Sequence, residues 1–281
     1  MTDRTDATIP AGLLADWWRT AVIDIQPGVI RPRGYSIETL IGEISFPAMI
    51  WLMLRGELPR PAHARLLEAA LVAGVDHGPH APSIAIARMA STCGIGVNGA
   101  MASAINVLGD VHGGAGQACL ELYQRVGAAL DQGTDLTQAA TQEVGRMLDS
   151  GTFIPGFGHR FHPVDPRAGK LLALVETARE QGHVDGRHAR IAVAVEAALM
   201  QLKGKRLPMN IDGATAVVYG ELGFAPELSR GLFVLSRSVG ILAHAWEQMS
   251  MNARIKGPMP PSVPYSYVGP CPRAKESEHG G

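Results

Sequence analysis

Residues 155–167 read Pro-Gly-Phe-Gly-His-Arg-Phe-His-Pro-Val-Asp-Pro-Arg, and helix-favouring sequence lies on both sides of them. Glycine allows backbone conformations that other residues rarely adopt, whereas proline fixes φ and stiffens the chain. The mixture is too polar for a core and too rigid for a linker, so it predicts a shaped loop. Its imidazole and guanidinium groups suit an anionic, oxygen-rich substrate, because arginine offers a planar fork to carboxylates and histidine polarises carbonyls. A solvated turn with surface charges is the alternative that composition leaves open.

Outside this loop, apolar residues recur with helical rather than alternating spacing. They do so from residue 36 to 54, with an interruption near Pro47, and from 61 to 73, where Pro61 suits a first helical turn. Further helix-favouring segments, separated by Gly or Pro, are 83–92, 97–108, 116–130, 135–149, 167–181, 187–203, 213–222 and 227–254. No stretch alternates as a half-buried strand does or flanks a hairpin turn signal. The sequence predicts an all-α fold.

The composition is that of a globular protein without a general attraction to polyanions. The chain has 281 residues, enough for one large domain or two smaller ones. It is 46% hydrophobic and 18% charged, with a net charge of -1, so neither nucleic acid nor a membrane is an expected partner. Any anion site must therefore be local.

Cysteine usage and the N-terminus indicate the compartment. Cys93, Cys119 and Cys271 lie far apart without a metal-type spacing, and an odd number argues against a disulfide framework. The polar start, Met1–Pro10, lacks the apolar segment of a signal peptide, and no uncharged apolar run approaches about 18 residues. A cytoplasmic location is predicted.

Four further polar clusters interrupt the helical pattern. They are Asp76–His80, Gly109–Ala115, Asn210–Gly213 and Leu235–Arg237. Taken alone, Asp212 could be only a helix N-cap, and His112 only a turn residue before two glycines. Arg237 lies in an apolar helical segment, where arginine is rarely buried without an anionic partner. The scattered His and Asp residues lack the short His pair spacings of common metal motifs, so no metal site is predicted.

Together, two imidazoles, a carboxylate and two or three arginines suggest proton abstraction next to a carbonyl. A carboxylate can move the proton, one imidazole can stabilise the enol oxygen, another can polarise an electrophilic carbonyl, and arginines can hold carboxylates. Each proton-transfer role contributes on the order of 10²- to 10⁴-fold in rate.

Seven short motifs in order resemble the citrate synthase superfamily over nearly the whole chain. They are RGY at 33–35, GELP at 56–59, DHG at 76–78, HGGA at 112–115, GFGHR with DPRA at 156–160 and 165–168, NID at 210–212 and LSRSVG at 235–240. The short length, the wording of the 155–167 loop and LPMNIDGA at 207–214 are most similar to the stand-alone citryl-CoA lyase branch. That branch is also similar to the C-terminal module of ATP-citrate lyase.

The resemblance implies an all-helical, citrate synthase-like homodimer or dimer of dimers. Each chain would have a large helical domain, residues 1–116 and 209–281, and a smaller inserted domain, residues 117–208. Closure of the small domain would bring His159 and Arg167 against His112 and Asp212.

The resemblance also implies catalytic roles. Asp212 would be the acid/base at the acetyl methyl carbon, and His112 would hydrogen-bond the thioester carbonyl oxygen. His159 would serve the hydroxyl or keto oxygen of the oxaloacetate part. The implied cofactor is a coenzyme A thioester, present as a substrate.

Binding roles follow from the same resemblance. The oxygens and carboxylates of the oxaloacetate part would be bound by His77, Arg167 and Arg237. The adenine would contact the backbone of Ile154, Pro155, Gly156, Phe157 and Gly158.

The function implied is a carbon-carbon lyase that cleaves citryl-CoA, or a close homologue, to acetyl-CoA and oxaloacetate by retro-aldol chemistry. A citrate or 2-methylcitrate synthase, an acyltransferase that condenses an acyl-CoA with oxaloacetate, uses the same groups and is the alternative. A non-catalytic CoA-binding subunit is the third interpretation. The implied partners are an acyl-CoA and a di- or tricarboxylic acid, and a separate citryl-CoA synthetase is an open option.

Two departures from citrate synthases bear on this choice. The loop between His159 and Arg167 is one residue shorter than usual. The C-terminal Arg-Pro that binds a carboxylate in the partner's site is missing, since residues 256–261 read KGPMPP. A buried carboxylate without its partner is unfavourable, so Arg254 or Lys256 substitutes or the substrate is anchored differently. This weakens the case for efficient citrate synthesis.

Overall fold

The computed structural model describes residues 17–159 and 162–273. Two features of the sequence analysis lie outside the described residues. They are the N-terminal stretch Met1–Pro10 and the residues Arg160 and Phe161 of the central loop. The cytoplasmic location, which was argued in part from the N-terminus, stays a prediction.

Helices dominate the described chain, as predicted, but a small antiparallel hairpin precedes them. Strand β1 (Ile23–Gln26) pairs with β2 (Val29–Pro32). Pro27 and Gly28 form the turn, and Gly28 has a φ of 75°, which glycine adopts without strain. The expectation that no strands flank a turn signal was wrong here. Residues 23–26, Ile-Asp-Ile-Gln, do alternate before Pro27 and Gly28, but the alternation covers only four residues and is not sustained.

The helices begin and end close to the predicted bounds. They are α1 (Ile37–Leu40), α2 (Phe46–Arg55), α3 (Pro61–Gly74), α4 (Pro82–Ser91), α5 (Val97–Ile105), α6 (Ala115–Asp131), α7 (Leu136–Asp149), α8 (Pro166–Glu180), α9 (Arg187–Lys203), α10 (Ile211–Glu221) and α11 (Pro226–Ser250). Pro47 lies in the first turn of α2 rather than inside a helix, because a missing N–H has no consequence at that position.

Contacts between residues divide the described chain into two units. The larger comprises the described parts of Met1–Asp76 together with Leu108–Val239, and the smaller comprises His77–Val107 with the described part of Gly240–Gly281. In the larger unit, α10 packs against α3, α6, α8 and α9, and most of its residues are buried. The start of α10 is thereby held firmly. The division into residues 117–208 and the remainder stays a prediction.

The smaller unit has its own packing. Helices α4 and α5 contact each other closely, and the Arg88 guanidinium donates to Gln248 and approaches His244 and Glu247. After α11 the described chain has no helix or strand, and Tyr265 and Tyr267 are 90% and 72% exposed. Among residues 17–159 and 162–273, no helix is both long and apolar enough to cross a membrane.

Candidate active site

Asp212 lies in the first turn of α10, but it is not the N-cap of that helix. The cap is Asn210, whose Oδ1 accepts from the backbone N–H groups of Asp212 at 2.9 Å and of Gly213 at 3.3 Å. Burial raises the pKa of Asp212, against the opposing effects of the Arg237 and Arg167 charges. A buried carboxyl group with a raised pKa holds its proton more readily than an exposed one, and can therefore serve as a proton donor. The N-cap interpretation of Asp212 was wrong.

Arg237 is buried, only 6% exposed, on α11. Its Nε donates to the carbonyl oxygen of Gly74 at 3.1 Å, and its guanidinium carbon lies 4.9 Å from the ring centroid of Phe233. Burial lowers the pKa of Arg237, while the charges of Asp76 and Asp212 raise it. The charges of two carboxylates, Asp76 and Asp212, thus act on a buried arginine, and the binding of a substrate anion by Arg237 stays a prediction.

His112 joins this group from the turn before α6. It is half-buried, and burial together with the positive charge of Arg237 lowers its pKa. A neutral imidazole is therefore favoured near pH 7, and a neutral ring can donate one hydrogen bond without adding charge. This is the form that suits a group stabilising an enolate oxygen.

Arg167 is fixed by a buried carboxylate that the sequence analysis did not single out. The side chain of Asp165 is 0% exposed, and it accepts from Nε and Nη2 of Arg167 at 3.0 and 2.9 Å. Burial would raise the pKa of Asp165, but the hydrogen bonds and charge of Arg167, with a backbone bond from Ile211, hold it at about 2. Asp165 is therefore ionised. The available signal was an Asp directly before a proline that starts a helix, which marks an N-cap.

His159 interacts electrostatically with this pair. Its Nδ1 accepts from the backbone N–H of His162 at 3.1 Å, and the two rings are 4.7 Å apart between centroids. Burial lowers the pKa of His159, Asp165 raises it, and His162 and Arg167 lower it further. In the neutral ring Nε2 then carries the proton.

The loop 154–158 is held against the start of α10, as a shaped loop would be. Gly158 N–H donates to Pro208 O at 2.8 Å, and the Asn210 backbone and side chain donate to the carbonyls of Gly156 and Gly158 at 2.9 and 2.7 Å. Gly156 has a φ of 84°, and a Cβ there would lie 2.5 Å from the Cys119 Sγ. The solvated-turn alternative was wrong for residues 155–158, since Gly156 is buried and its neighbours are partly so.

Two residues of this loop also line a cavity of about 480 Å³. Ile154 and Phe157 form part of its wall, and Lys203 and Lys205 add two cations to a mainly apolar lining. The other lining residues are Leu148, Gly151, Thr152, Phe153, Leu199 and Leu207. An apolar slot with a few charged groups can hold an aromatic base that carries phosphates.

The predicted site residues are thus largely brought together in the larger unit. The charges of Arg167 and Arg237 lower the pKa of Asp212. The charge of Arg237 also lowers the pKa of His112, and the charge of Arg167 lowers that of His159. His77 is the first residue of the smaller unit, and its role stays a prediction. The part of the chain that the structure describes contains no cluster of three or more His, Cys, Asp or Glu residues placed to hold a metal.

Comparison with known proteins assigns the family. The model of the citrate synthase C-terminal domain matches residues 59–258, so the chain belongs to the citrate synthase family of enzymes. A citrate synthase of Acidithiobacillus ferridurans is 31% identical over 220 residues, which cover 75% of this chain and 53% of that protein. A 2-methylcitrate synthase of Shewanella oneidensis is 31% identical over 274 residues, which cover 96% of this chain and 65% of that protein. The chain spans between about half and two thirds of the length of these curated relatives.

A solved structure matches over nearly the full length of both chains. The citryl-CoA lyase of Hydrogenobacter thermophilus superposes with a TM-score of 0.81 at 31% identity, covering 92% of this chain and 96% of that one. The citrate synthase of Thermotoga maritima gives 0.66 at 26% identity, with 83% and 60% covered. The predicted all-helical, citrate synthase-like fold is confirmed.

Proposed function

We propose that this protein is a carbon-carbon lyase that cleaves citryl-CoA, or a close homologue, to acetyl-CoA and oxaloacetate. The observation that carries the proposal is the environment of Asp212, a buried carboxyl group with a raised pKa that faces the charges of Arg167 and Arg237. Such a group can give a proton to a carbanion beside anchored carboxylates. The higher TM-score with a citryl-CoA lyase, 0.81 against 0.66 for a citrate synthase, supports the lyase branch.

In the proposed reaction, the carbon-carbon bond breaks as the tertiary hydroxyl oxygen becomes the keto oxygen of oxaloacetate. The electron pair of that bond forms the enolate of acetyl-CoA, and the neutral His112 donates to its oxygen. Protonated Asp212 then gives its proton to the methylene carbon, which becomes the methyl group. Arg167 and Arg237 hold the carboxylates, so that the cleaved bond lies beside Asp212.

The hydroxyl proton leaves through His159 in this scheme, which sets a condition on that ring. With Nδ1 accepting from His162, Nε2 of the neutral ring is a donor and would bind the hydroxyl oxygen rather than take its proton. To accept the proton at Nε2, the ring must adopt the other tautomer and lose the His162 contact. Substrate binding would therefore rearrange the hydrogen bond between His159 and His162.

The proposed cofactor is the coenzyme A thioester itself, with its adenosine in the cavity beside Ile154 and Phe157. The apolar wall suits the base, and Lys203 and Lys205 suit the phosphates because an ammonium group binds phosphate as a compact charge. If so, a thioester of 3′-dephospho-CoA should show a raised KM on the wild type. The Lys205→Ala protein should lose most of that discrimination.

The second candidate is a citrate or 2-methylcitrate synthase, which the names of the curated relatives favour. It would need a cation in place of the missing C-terminal arginine. The backbone N–H groups of Ile255 and Lys256 donate to the backbone and side chain of Thr92 at 3.1 and 2.9 Å, which fixes the segment within the smaller unit. Arg254 and Lys256 are exposed there. In the proposed homodimer or dimer of dimers, either could reach a partner's substrate.

The test is turnover in both directions by the purified protein. Synthetic citryl-CoA is supplied, and oxaloacetate release is coupled to malate dehydrogenase and followed as loss of NADH. Acetyl-CoA with oxaloacetate is supplied separately, and free CoA is measured with a thiol reagent. Release of oxaloacetate without sustained release of CoA supports the lyase. Sustained CoA release would establish the synthase, and neither reaction in a protein that binds CoA would point to a non-catalytic subunit.

A further inference from the structure

We infer that Asp165 is a positioning residue of the proposed reaction. Its carboxylate fixes the substrate-binding edge of Arg167 and, at the same time, the first turn of the helix that carries Asp212. The inference rests on the proposed function, since it takes Arg167 as a carboxylate ligand and Asp212 as the proton donor. Asp165 itself would touch no reacting atom.

The first argument is the edge of Arg167 that Asp165 occupies. Arginine has five N–H donors in a planar fork. Asp165 takes the donor on Nε and one on Nη2, and Nη1 donates to the Ala73 carbonyl at 3.4 Å. Among the described contacts this leaves one donor on each terminal nitrogen. A carboxylate can bind such a pair side by side, so Asp165 determines which edge of the arginine the substrate meets.

The second argument is the start of α10. A helix begins with N–H groups that have no partner within the helix, and nearby carboxylates are drawn to them. Here Asp165 Oδ2 accepts from Ile211 N–H at 3.0 Å, and Asn210 accepts from the next two. The carboxylate of Asp212, in the same turn, is not needed as a cap. Asp165 thus helps to keep Asp212 available for chemistry.

The third argument is that one buried group joins two helix starts. Asp165 is also the N-cap of α8, where its Oδ1 accepts from Arg167 N–H at 3.0 Å. Negative charge is favourable at helix N-termini, and here it serves both α8 and α10. A shift of this carboxylate would therefore move the substrate arginine and the Asp212 turn together.

The experiment compares Asp165→Asn with Asp135→Asn. Asp135 is a matched control, because it caps α7 by accepting from Thr137 and Gln138 N–H groups at 2.9 and 3.2 Å, and it is not part of the candidate site. We expect Asp165→Asn to lower kcat/KM for citryl-CoA by about 100-fold, as expected for a misplaced anchoring group. Asp135→Asn should stay within about twofold of the wild type, because loss of one exposed cap affects stability alone.

Thermal unfolding separates positioning from a structural role. Oxaloacetate should raise the Tm of the wild type and of Asp135→Asn, and this increase should be lost in Asp165→Asn as it is in Arg167→Lys. A structural role alone would lower the Tm without ligand but preserve the increase with oxaloacetate, and that result would overturn the inference. Full kcat/KM in Asp165→Asn would overturn it as well.

Two further outcomes keep the inference apart from the proposed function. If the wild type does not cleave citryl-CoA, the proposed function fails, and the oxaloacetate-induced increase in Tm still decides the role of Asp165. If Asp165→Asn does not fold, Asp165→Glu keeps the charge but displaces it by one methylene group. A folded Asp165→Glu protein with wild-type kcat/KM and oxaloacetate response would contradict positioning, whereas a loss of both would support it.

Discussion

Helices α7 and α10 begin with the same unsatisfied N–H groups, and they satisfy them with different numbers of residues. At α7, the exposed Asp135 accepts two N–H groups alone. At α10, Asn210 accepts two and Asp165, from the start of another helix, accepts a third. The additional partner comes from tertiary structure. It shows how a carboxylate in a first turn, Asp212, can be kept out of the capping bonds that would otherwise hold it.

The largest expected effect of breaking this arrangement comes from Asp212 itself. Asp212→Asn should lower kcat for citryl-CoA cleavage by about 10³-fold, because the general acid is lost. The NADH-coupled assay measures it. The fold should survive in this variant. Burial raises the pKa of Asp212, so the wild type loses stability as pH rises through that pKa and the carboxyl group ionises. The neutral Asn side chain does not ionise and has no such loss. A Tm at pH 8 well below that of the wild type would show that Asp212 is structural instead.

The contact between the loop and α10 is the next point to test. Gly156→Ala places a Cβ 2.5 Å from Cys119 Sγ and 2.8 Å from Gly213 Cα at a φ of 84°. The combined overpacking and backbone strain should cost about 3 kcal/mol of unfolding free energy. Gly133→Ala is the control, because Gly133 has a φ of 89° with open space around it. Gly133→Ala should lower the unfolding free energy, measured by urea unfolding, by only about 1 kcal/mol. Equal losses in the two variants would mean that the loop at Gly156 shifts to accommodate the added methyl group.

Removing the caps compares the two helix starts directly. Asn210→Ala and Asp135→Ala should each lower the unfolding free energy by about 1 kcal/mol. Only Asn210→Ala should also reduce kcat/KM, by roughly tenfold. The N–H groups in the first turn of α10 would then attract the Asp212 carboxylate, and the Gly158 carbonyl in the loop would lose its hydrogen bond from the Asn210 side chain. Steady-state kinetics with citryl-CoA tests this. Equal kcat/KM in Asn210→Ala and Asp135→Ala would contradict the claim that the start of α10, unlike that of α7, supports the reaction.

The smallest expected effect is on acid stability. The pKa of Asp165 is about 2, below the ordinary value of 3.8, because its hydrogen bonds with Arg167 and Ile211 outweigh burial. A lowered pKa in the folded state gives stability that is complete above pH 3.8 and is lost as pH falls toward 2. Denaturant unfolding between pH 3.8 and 2 should show that the unfolding free energy falls more steeply with decreasing pH in the wild type than in Asp165→Asn.

The fold was largely predictable, because helical spacing and Gly or Pro punctuation are local signals. The presence of carboxylates near Arg237 was also predictable, since an arginine that is buried on an apolar helix needs anionic groups around it. The hairpin at residues 23–32 was missed because its strands are short. The pairing of Asp165 with both Arg167 and the start of α10 was not predictable, since it joins residues 46 positions apart through tertiary contact. Asn210 could have been recognised as the cap, because Asn directly before a helical segment favours that position.

The most direct test of the account is citryl-CoA cleavage in D₂O, with the acetyl-CoA product examined by mass spectrometry. If Asp212 delivers a solvent-exchanged proton to the methylene carbon, each product methyl group formed by the wild type should carry one deuterium. Asp212→Asn should form almost no product. Acetyl-CoA without deuterium, or normal labelled turnover by Asp212→Asn, would contradict the role assigned to this carboxylate.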